Sequence, residues 1–230
     1  TDVHHLRRLL ELKAHYHDLV GKSRGMTQIY EQIQDLARVD STVLIEGETG
    51  TGKELVARAL HQASVRHKGP FIAANCAGLT DSLLGSQLFG HKKGAFTGAH
   101  TTKKGLMEES NGGTLFLDEV GDLSLPNQAR LLRAIETGSY RRLGGSVLLH
   151  SEVRVVAATN KNLEMEVKTG RFRRDLYHRL NGFELRLPPL RERRGDIGAH
   201  RAWMIRAYAV ALAAGTQAFT VGFGDPKALG

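Results

Sequence analysis

The sequence predicts an α/β fold: a mostly parallel five-stranded sheet held between helices, with the start of a small helical subdomain at the C-terminal end. Three observations predict it. Short apolar runs alternate with helical stretches, a glycine-rich GETGTGKE follows the first of those runs and opens a helix, and the composition changes after Pro188-Pro189 to an alanine-rich helical pattern. Strands buried on both faces read as near-continuous apolar runs, and parallel strands need helical crossovers between them.

Taken in order, residues 1–18 carry Leu6, Leu9, Leu10 and Leu12 among charges and read as a linker helix. Residues 26–37 place Ile29, Ile33 and Leu36 on one helical face. Apolar runs at 42–45, 71–74, 114–117, 153–158 and 183–187 read as buried strands, and 54–62 and 127–136 as the helices between them. The stretch 139–152 breaks the alternation with Gly144-Gly145 between two extended segments, a hairpin signal. Residues 203–214 are alanine-rich with Met204, Tyr208 and Leu212 at helical spacing. The expected division is a linker helix over 1–18, an α/β core over 19–190 and a partial helical subdomain over 191–230.

At 230 residues the chain is long enough for one well-buried α/β domain and the beginning of a second. The net charge of +8 would suit a polyanion, yet the basic residues are dispersed except at 171–174 and 191–194, and most read as a solvated face. Direct DNA binding by this segment is therefore not expected. A single cysteine, Cys76, rules out an internal disulfide and reads as a buried strand end. No apolar run approaches the ~20 residues that cross a bilayer and no signal-peptide pattern opens the chain, so no membrane partner and a cytoplasmic location are expected. The pairs His4/His5 and His15/His17 read as surface residues, without a metal site made of protein ligands alone.

The chemistry begins at Gly47, Glu48, Thr49, Gly50, Thr51, Gly52, Lys53 and Glu54. Strand, glycine-rich loop and helix in that order form the context of an ATP-binding P-loop: backbone N–H groups surround the phosphates and Lys53 reaches the β and γ oxygens. Glu54 stands where a hydroxyl usually helps hold Mg²⁺, so the ion must lean on other oxygens. LFLDEV ends a strand in two acids: Asp118 is placed to hold Mg²⁺ and Glu119 to orient and activate water. Positive charge at the γ-phosphate could come from any of several arginines in RFRRDLYHRLN, residues 171–181, and spacing alone does not choose among them. Between loop and acids lies GAFTGA: Gly94, Ala95, Phe96, Thr97, Gly98 and Ala99. Small residues around one aromatic cannot build a core and indicate a contact loop.

P-loop, GAFTGA, DE-ended strand and FRRDLYHRLN, in this order, resemble the bacterial enhancer-binding proteins, the NtrC-like activators of sigma-54 RNA polymerase, over residues 19–197. The resemblance implies an AAA+ ATPase that uses ATP and Mg²⁺ and forms a homo-oligomer, typically a hexamer, with sites at subunit interfaces. GAFTGA would touch sigma-54 through Phe96 and Thr97 and so remodel the closed promoter complex. By position, Asn75 matches the asparagine that pairs with the catalytic acid Glu119, Thr159 and Asn160 the first sensor, and Arg173 and Arg179 the paired arginine fingers. Leu19, Val20 and Gly21 match the segment against adenine, and the Gly144-Gly145 hairpin the second, pre-sensor loop.

Three features depart from the family pattern: Lys92-Lys93 before the hexapeptide, where the family commonly has an acid, and Gly85 and Gln87 in place of acids on the supporting helix. The resemblance fades after Ile197, which leads to the expectation of a central domain or truncated chain. Such a chain would lack a complete lid with its second-sensor arginine, a regulatory domain and the helix-turn-helix domain through which DNA would be bound. An alternative follows, a nucleotide-gated sigma-54 binding module without efficient turnover because the lid is incomplete. A different P-loop machine acting on DNA is favoured only by the net charge.

Overall fold

The computed structural model describes Leu19 and residues 23–193. The linker helix expected over 1–18, the helical pattern over 203–214, and Val20 and Gly21 of the adenine segment lie outside the described residues.

Helix α1 (Arg24–Ala37) starts where Ser23 accepts a bond from the Met26 amide, and it buries Met26, Ile29, Tyr30, Ile33 and Leu36 along one face. Strand β1 (Val43–Glu46) leads through the glycine-rich loop into α2 (Lys53–Ala63), and β2 (Phe71–Asn75) into α3 (Asp81–Phe89). After the GAFTGA segment come α4 (Leu106–Glu109), β3 (Thr114–Asp118) and α5 (Leu125–Thr137). A hairpin of β4 (Ser139–Tyr140) and β5 (Leu149–His150) precedes β6 (Arg154–Thr159), α6 (Leu163–Lys168), α7 (Arg174–Leu180) and β7 (Phe183–Arg186).

All five expected strands form one parallel sheet in the order β2-β3-β6-β1-β7, with ends shifted by a residue or two. Successive strand residues point to opposite faces. Leu44, Leu115, Leu117, Val155 and Ala157 therefore join one core under α3, α5 and α7, while Val43, Ile45, Phe116, Val156 and Leu185 join another under α1 and α2. Each fully buried Leu, Ile, Val or Phe contributes roughly 1.5–3 kcal/mol. Arg154, only 3% exposed, crosses between layers. Its guanidinium donates to the Leu36 carbonyl at 2.7 Å and the Ser41 carbonyl at 3.3 Å, adding a charged donor to the carbonyls at and beyond the end of α1. Burial holds the Arg154 pKa below its ordinary value.

This strand order places the carboxyl ends of β3, β6 and β1 side by side, where ligands of parallel sheets bind. DEV follows β3, Thr159 ends β6 and the P-loop follows β1. The hairpin expected around Gly144-Gly145 is present, but the glycines lie inside a wide loop over 141–148 rather than forming a two-residue turn; β4 and β5 pair Ser139 with His150 and Tyr140 with Leu149. Gly85, in the interior of α3, sits so close to α5 that an added Cβ would lie 2.9 Å from Asn127 Oδ1 and 3.3 Å from an Arg130 nitrogen.

Candidate active site and its contact loop

The P-loop is folded by its own backbone before any phosphate arrives. Thr51 Oγ1 donates to the Glu48 carbonyl at 2.7 Å, and Gly52, at φ 91°, takes a left-handed turn that starts α2. The Gly47 amide donates to the Thr159 carbonyl at 3.2 Å, joining the loop to the end of β6. Lys53 is 6% exposed; its ammonium donates to the Gly47 carbonyl at 3.1 Å and to Glu119 Oε1 at 3.2 Å. Glu119 Oε2 accepts from the Asn160 amide at 3.0 Å, and the Asn160 side-chain amide donates to Thr49 Oγ1 at 3.1 Å. Three hydrogen bonds thus link Lys53, Glu119, Asn160 and Thr49 across three strand ends, and the P-loop backbone from Thr49 to Lys53 closes them into a ring. A cavity of about 310 Å³ opens beside it, lined by Glu46, Gly47, Glu48, Thr159, Asn160 and Arg186 among others.

Glu119 is also, among the described residues, the one non-glycine residue with positive φ, at φ 52° and ψ 48°. An L-residue there carries roughly 1–2 kcal/mol of strain, and this backbone accompanies a carboxylate directed to Lys53 and Asn160. Asp118 Oδ1 accepts from the Glu119 amide at 3.1 Å. Burial, followed by the neighbouring charge of Glu119, raises the Asp118 pKa above the ordinary carboxylate value. Cys76 lies beside these acids, its amide bonded to the Asp118 carbonyl at 2.9 Å. Burial pushes its thiol up to about 12, so it is an inert strand-end residue as its neighbours suggest.

Other expected residues stand apart from this ring. Asn75 is paired with Asp118 in the sheet register, but its Oδ1 accepts from the Ala77 amide at 2.8 Å and the side chain makes no bond to Glu119. The acid's two oxygens are already occupied by Lys53 and Asn160, so the pairing implied by the family is not formed in this conformation. Glu54 is exposed and joins Arg58 along the helix at 2.7 Å. Arg173 pairs with Asp175 at 2.6 Å and Arg179 reaches the Ile135 carbonyl at 3.3 Å; neither touches the ring of its own chain. Leu19 accepts from the Tyr30 hydroxyl at 3.2 Å and packs on the core beneath α1.

Two residues escaped the sequence reading. Arg193, in a stretch taken as solvated, is 4% exposed and donates to the Thr51 carbonyl at 2.9 Å and the Pro188 carbonyl at 3.0 Å. Gln128, fully buried in α5, accepts from the Arg173 amide at 2.8 Å and donates to the Arg171 carbonyl at 3.0 Å, which fixes the start of α7. A glutamine in the middle of an apolar helical pattern was the available signal.

GAFTGA forms a closed turn. The Gly94 amide donates to the Ala99 carbonyl at 2.8 Å and the Ala99 amide to the Phe96 carbonyl at 3.0 Å. Thr97 is exposed, Ala99 is buried, and Phe96 is half-buried with its ring edge-on to His91 at 5.1 Å between centroids. His91 Nδ1 in turn lies 2.7 Å from Ser86 Oγ of α3, and both residues are buried. The Leu143 amide donates to the Gly90 carbonyl at 2.9 Å and the Lys92 amide to the Leu143 carbonyl at 3.0 Å, so turn and hairpin share a backbone seam.

A parallel sheet of this order, with a P-loop after β1 and acids at the end of β3 on either side of β6, defines an AAA+ P-loop NTPase domain. More narrowly, residues 19–186 match the sigma-54 interaction domain, and the chain belongs to that family of NtrC-like activator domains. It is 54% identical over 179 residues to the DNA-binding transcriptional regulator NtrC of Rhizobium meliloti, covering 78% of this chain and 37% of that protein. It is 50% identical over 195 residues to the Nif-specific regulatory protein of Enterobacter agglomerans, covering 85% and 38%. The chain therefore spans less than two-fifths of these relatives. A crystal structure of NtrX from Brucella abortus in complex with ATP superposes with a TM-score of 0.73 at 38% identity, covering 79% of this chain and 39% of that one.

Proposed function

We propose that the chain is an ATP-hydrolysing module of a sigma-54-dependent transcriptional activator, with the GAFTGA turn as its sigma-54 contact. The observation that carries the reading is the ring of Lys53, Glu119, Asn160 and Thr49 at the mouth of the P-loop. ATP phosphates entering the loop compete for the Lys53 ammonium and release Glu119 Oε1. The freed carboxylate accepts a proton from water as the water oxygen bonds to the γ-phosphorus and the bond to the β-phosphate oxygen breaks, leaving ADP. Asn160 keeps the other carboxylate oxygen in place.

Among the described residues no three His, Cys, Asp or Glu side chains converge as metal ligands. Asp118, a hard oxygen donor at the strand end, fits an ion held chiefly by phosphate oxygens. Mg²⁺ would be held there by Asp118, and it supplies neutralisation of the phosphate charge.

Arg173 and Arg179 bond to Asp175 and the Ile135 carbonyl rather than to the ring of their own chain, which supports their serving the site of a neighbouring copy, in a homo-oligomer of which a hexamer is the family form. The seam from Gly90 and Lys92 to Leu143 supports joint movement of turn and hairpin. Division into a linker helix over 1–18, a core over 19–190 and a lid over 191–230 completes the proposal.

Two measurements test it. Specific ATPase activity should rise with protein concentration and collapse in Arg173→Ala; equal activity of a monomer and of that variant would refute the shared site. Sigma-54 should be captured in the presence of ADP with a metal fluoride by the wild type and not by Thr97→Ala. Tight nucleotide binding without phosphate release at any concentration would instead establish a gated binding module.

A further inference from the structure

A cavity of about 190 Å³ lies between α5 and the hairpin, and none of its lining belongs to the Lys53–Glu119–Asn160–Thr49 ring. Arg130, Arg133, Arg141 and Arg142 line it together with Tyr140 and Phe89. Four arginines thus line a volume that would hold roughly six waters. Their carboxylate compensation is meagre. Arg142 donates to Glu108 at 2.6 Å, and Glu108 is shared with Lys104. Arg130 reaches only the neutral Asn127 Oδ1 at 3.2 Å, and Arg141 the Ser146 carbonyl at 3.1 Å. The Arg133 guanidinium makes no hydrogen bond or ion pair among the described residues, while its carbonyl accepts from Thr137 Oγ1 at 2.8 Å.

Two of the lining residues also carry polar atoms that the fold leaves unsatisfied. Tyr140 Oη and Arg142 Nε are buried without a hydrogen-bond partner, and Tyr140 is 4% exposed. Arg142 Nε can only donate. Burial pushes the Tyr140 phenol up to about 12, so it keeps its proton and can donate too. Buried polar groups in folded proteins are nearly always paired, and two orphaned donors inside an arginine cluster ask for a compact, acceptor-rich anion. Guanidinium forks match phosphate oxygens two at a time.

We propose that this cavity binds a phosphate group, free or on a small phosphorylated molecule, as a second anion site separate from the P-loop. Its volume of about 190 Å³ holds a phosphate group. Leu143 lines the same cavity and bonds through its backbone to Gly90 and Lys92, so an occupant braces α5 against the hairpin at the base of the GAFTGA turn.

The test is calorimetric titration of the whole chain, its P-loop saturated with ADP and Mg²⁺, with inorganic phosphate and separately with glycerol 3-phosphate at constant ionic strength. One equivalent should bind. Tyr140→Phe keeps the ring against Phe89 and should leave the melting temperature unchanged while weakening binding about tenfold, ~1.4 kcal/mol. The pair Arg133→Ala and Arg141→Ala should abolish it. Tighter binding of glycerol 3-phosphate than of phosphate assigns the site to a phosphomonoester, and the reverse order to free phosphate. The proposal is overturned if nothing binds with the P-loop filled. It is equally overturned if both variants bind as the wild type does, which would place the anion beside Lys53. Self-association lost in the arginine pair without any phosphate binding would give the cluster to a carboxylate of a second copy, and the phosphate site would be refuted.

Discussion

The nucleotide end of the sheet and the GAFTGA–hairpin region are built by different means. At the nucleotide end, side chains make every link: Lys53 to Glu119, Glu119 to the Asn160 amide, and the Asn160 side chain to Thr49, across three strands that are buried on both faces. In the loop region, backbone holds backbone through the seam of Gly90, Lys92 and Leu143, and few side chains are committed beyond Phe96, His91 and Ser86. A charge network of the first kind is sensitive to an incoming phosphate. A backbone seam of the second kind transmits position while leaving the outward side chains, Thr97 above all, free to meet a partner.

The largest expected effect breaks the first region alone. Glu119→Gln removes the proton acceptor but keeps a group that can hydrogen-bond Asn160, so turnover should fall by ~10²–10⁴ while ATP affinity holds. Single-turnover hydrolysis beside equilibrium binding separates the two. Next, Gly144→Ala strikes the second region. Its backbone is at φ 67° and the new Cβ would lie 2.8 Å from Ala95 Cβ, so about 1–2 kcal/mol of strain and a displaced turn are expected. Sigma-54 capture should drop with the intrinsic ATPase rate little changed; a parallel loss of both would show that the regions are not separable.

Arg193→Ala tests the first region from outside. Removing a buried guanidinium that bonds two carbonyls should cost about 1.5–3 kcal/mol in denaturant unfolding and weaken nucleotide binding through Thr51. Asp118→Asn should act in the opposite sense on stability. The folded pKa is raised, so the native acid binds its proton more readily than the unfolded one. Stability therefore declines as pH climbs from the ordinary 3.8 through the folded value, and the loss persists at neutral pH. The amide variant should accordingly melt a few degrees higher at pH 7 and be inactive, whereas below pH 3.8 the gain should vanish. Smallest of all, Arg191→Ala breaks an exposed pair with Glu48, both partners more than half exposed, and should shift stability by less than ~0.5 kcal/mol.

These contrasts also explain what could be read from sequence. The five strands were legible because a parallel sheet buries both faces, so Val43 to Ile45 or Leu115 to Leu117 leave an unbroken apolar record. Lys53 and Glu119 come together as the sequence order suggests, because a glycine-rich loop after β1 and a DE pair at the end of β3 open on the same edge of a parallel sheet. Arg193 was not: its partner Thr51 lies far away along the chain, and an arginine in a basic stretch looks solvated until the fold brings a carbonyl to it. The left-handed backbone of Glu119 left no trace, since nothing in its neighbours calls for it. Phe96 is expected from sequence to be a contact residue; its packing on His91 depends on a turn closed by backbone bonds that composition does not encode.

The glycine in the interior of α3 carries a wider meaning. Gly85 allows α3 and α5 to approach until Asn127 fills the place of a methyl group. One of these helices runs into the GAFTGA turn and the other into the hairpin, so the spacing of the two outward elements is gauged by an atom that is not there. A side chain added at position 85 would act as a shim, pressing on Asn127 and Arg130 of α5 and meeting Leu143 Cδ2 of the hairpin loop 3.6 Å away.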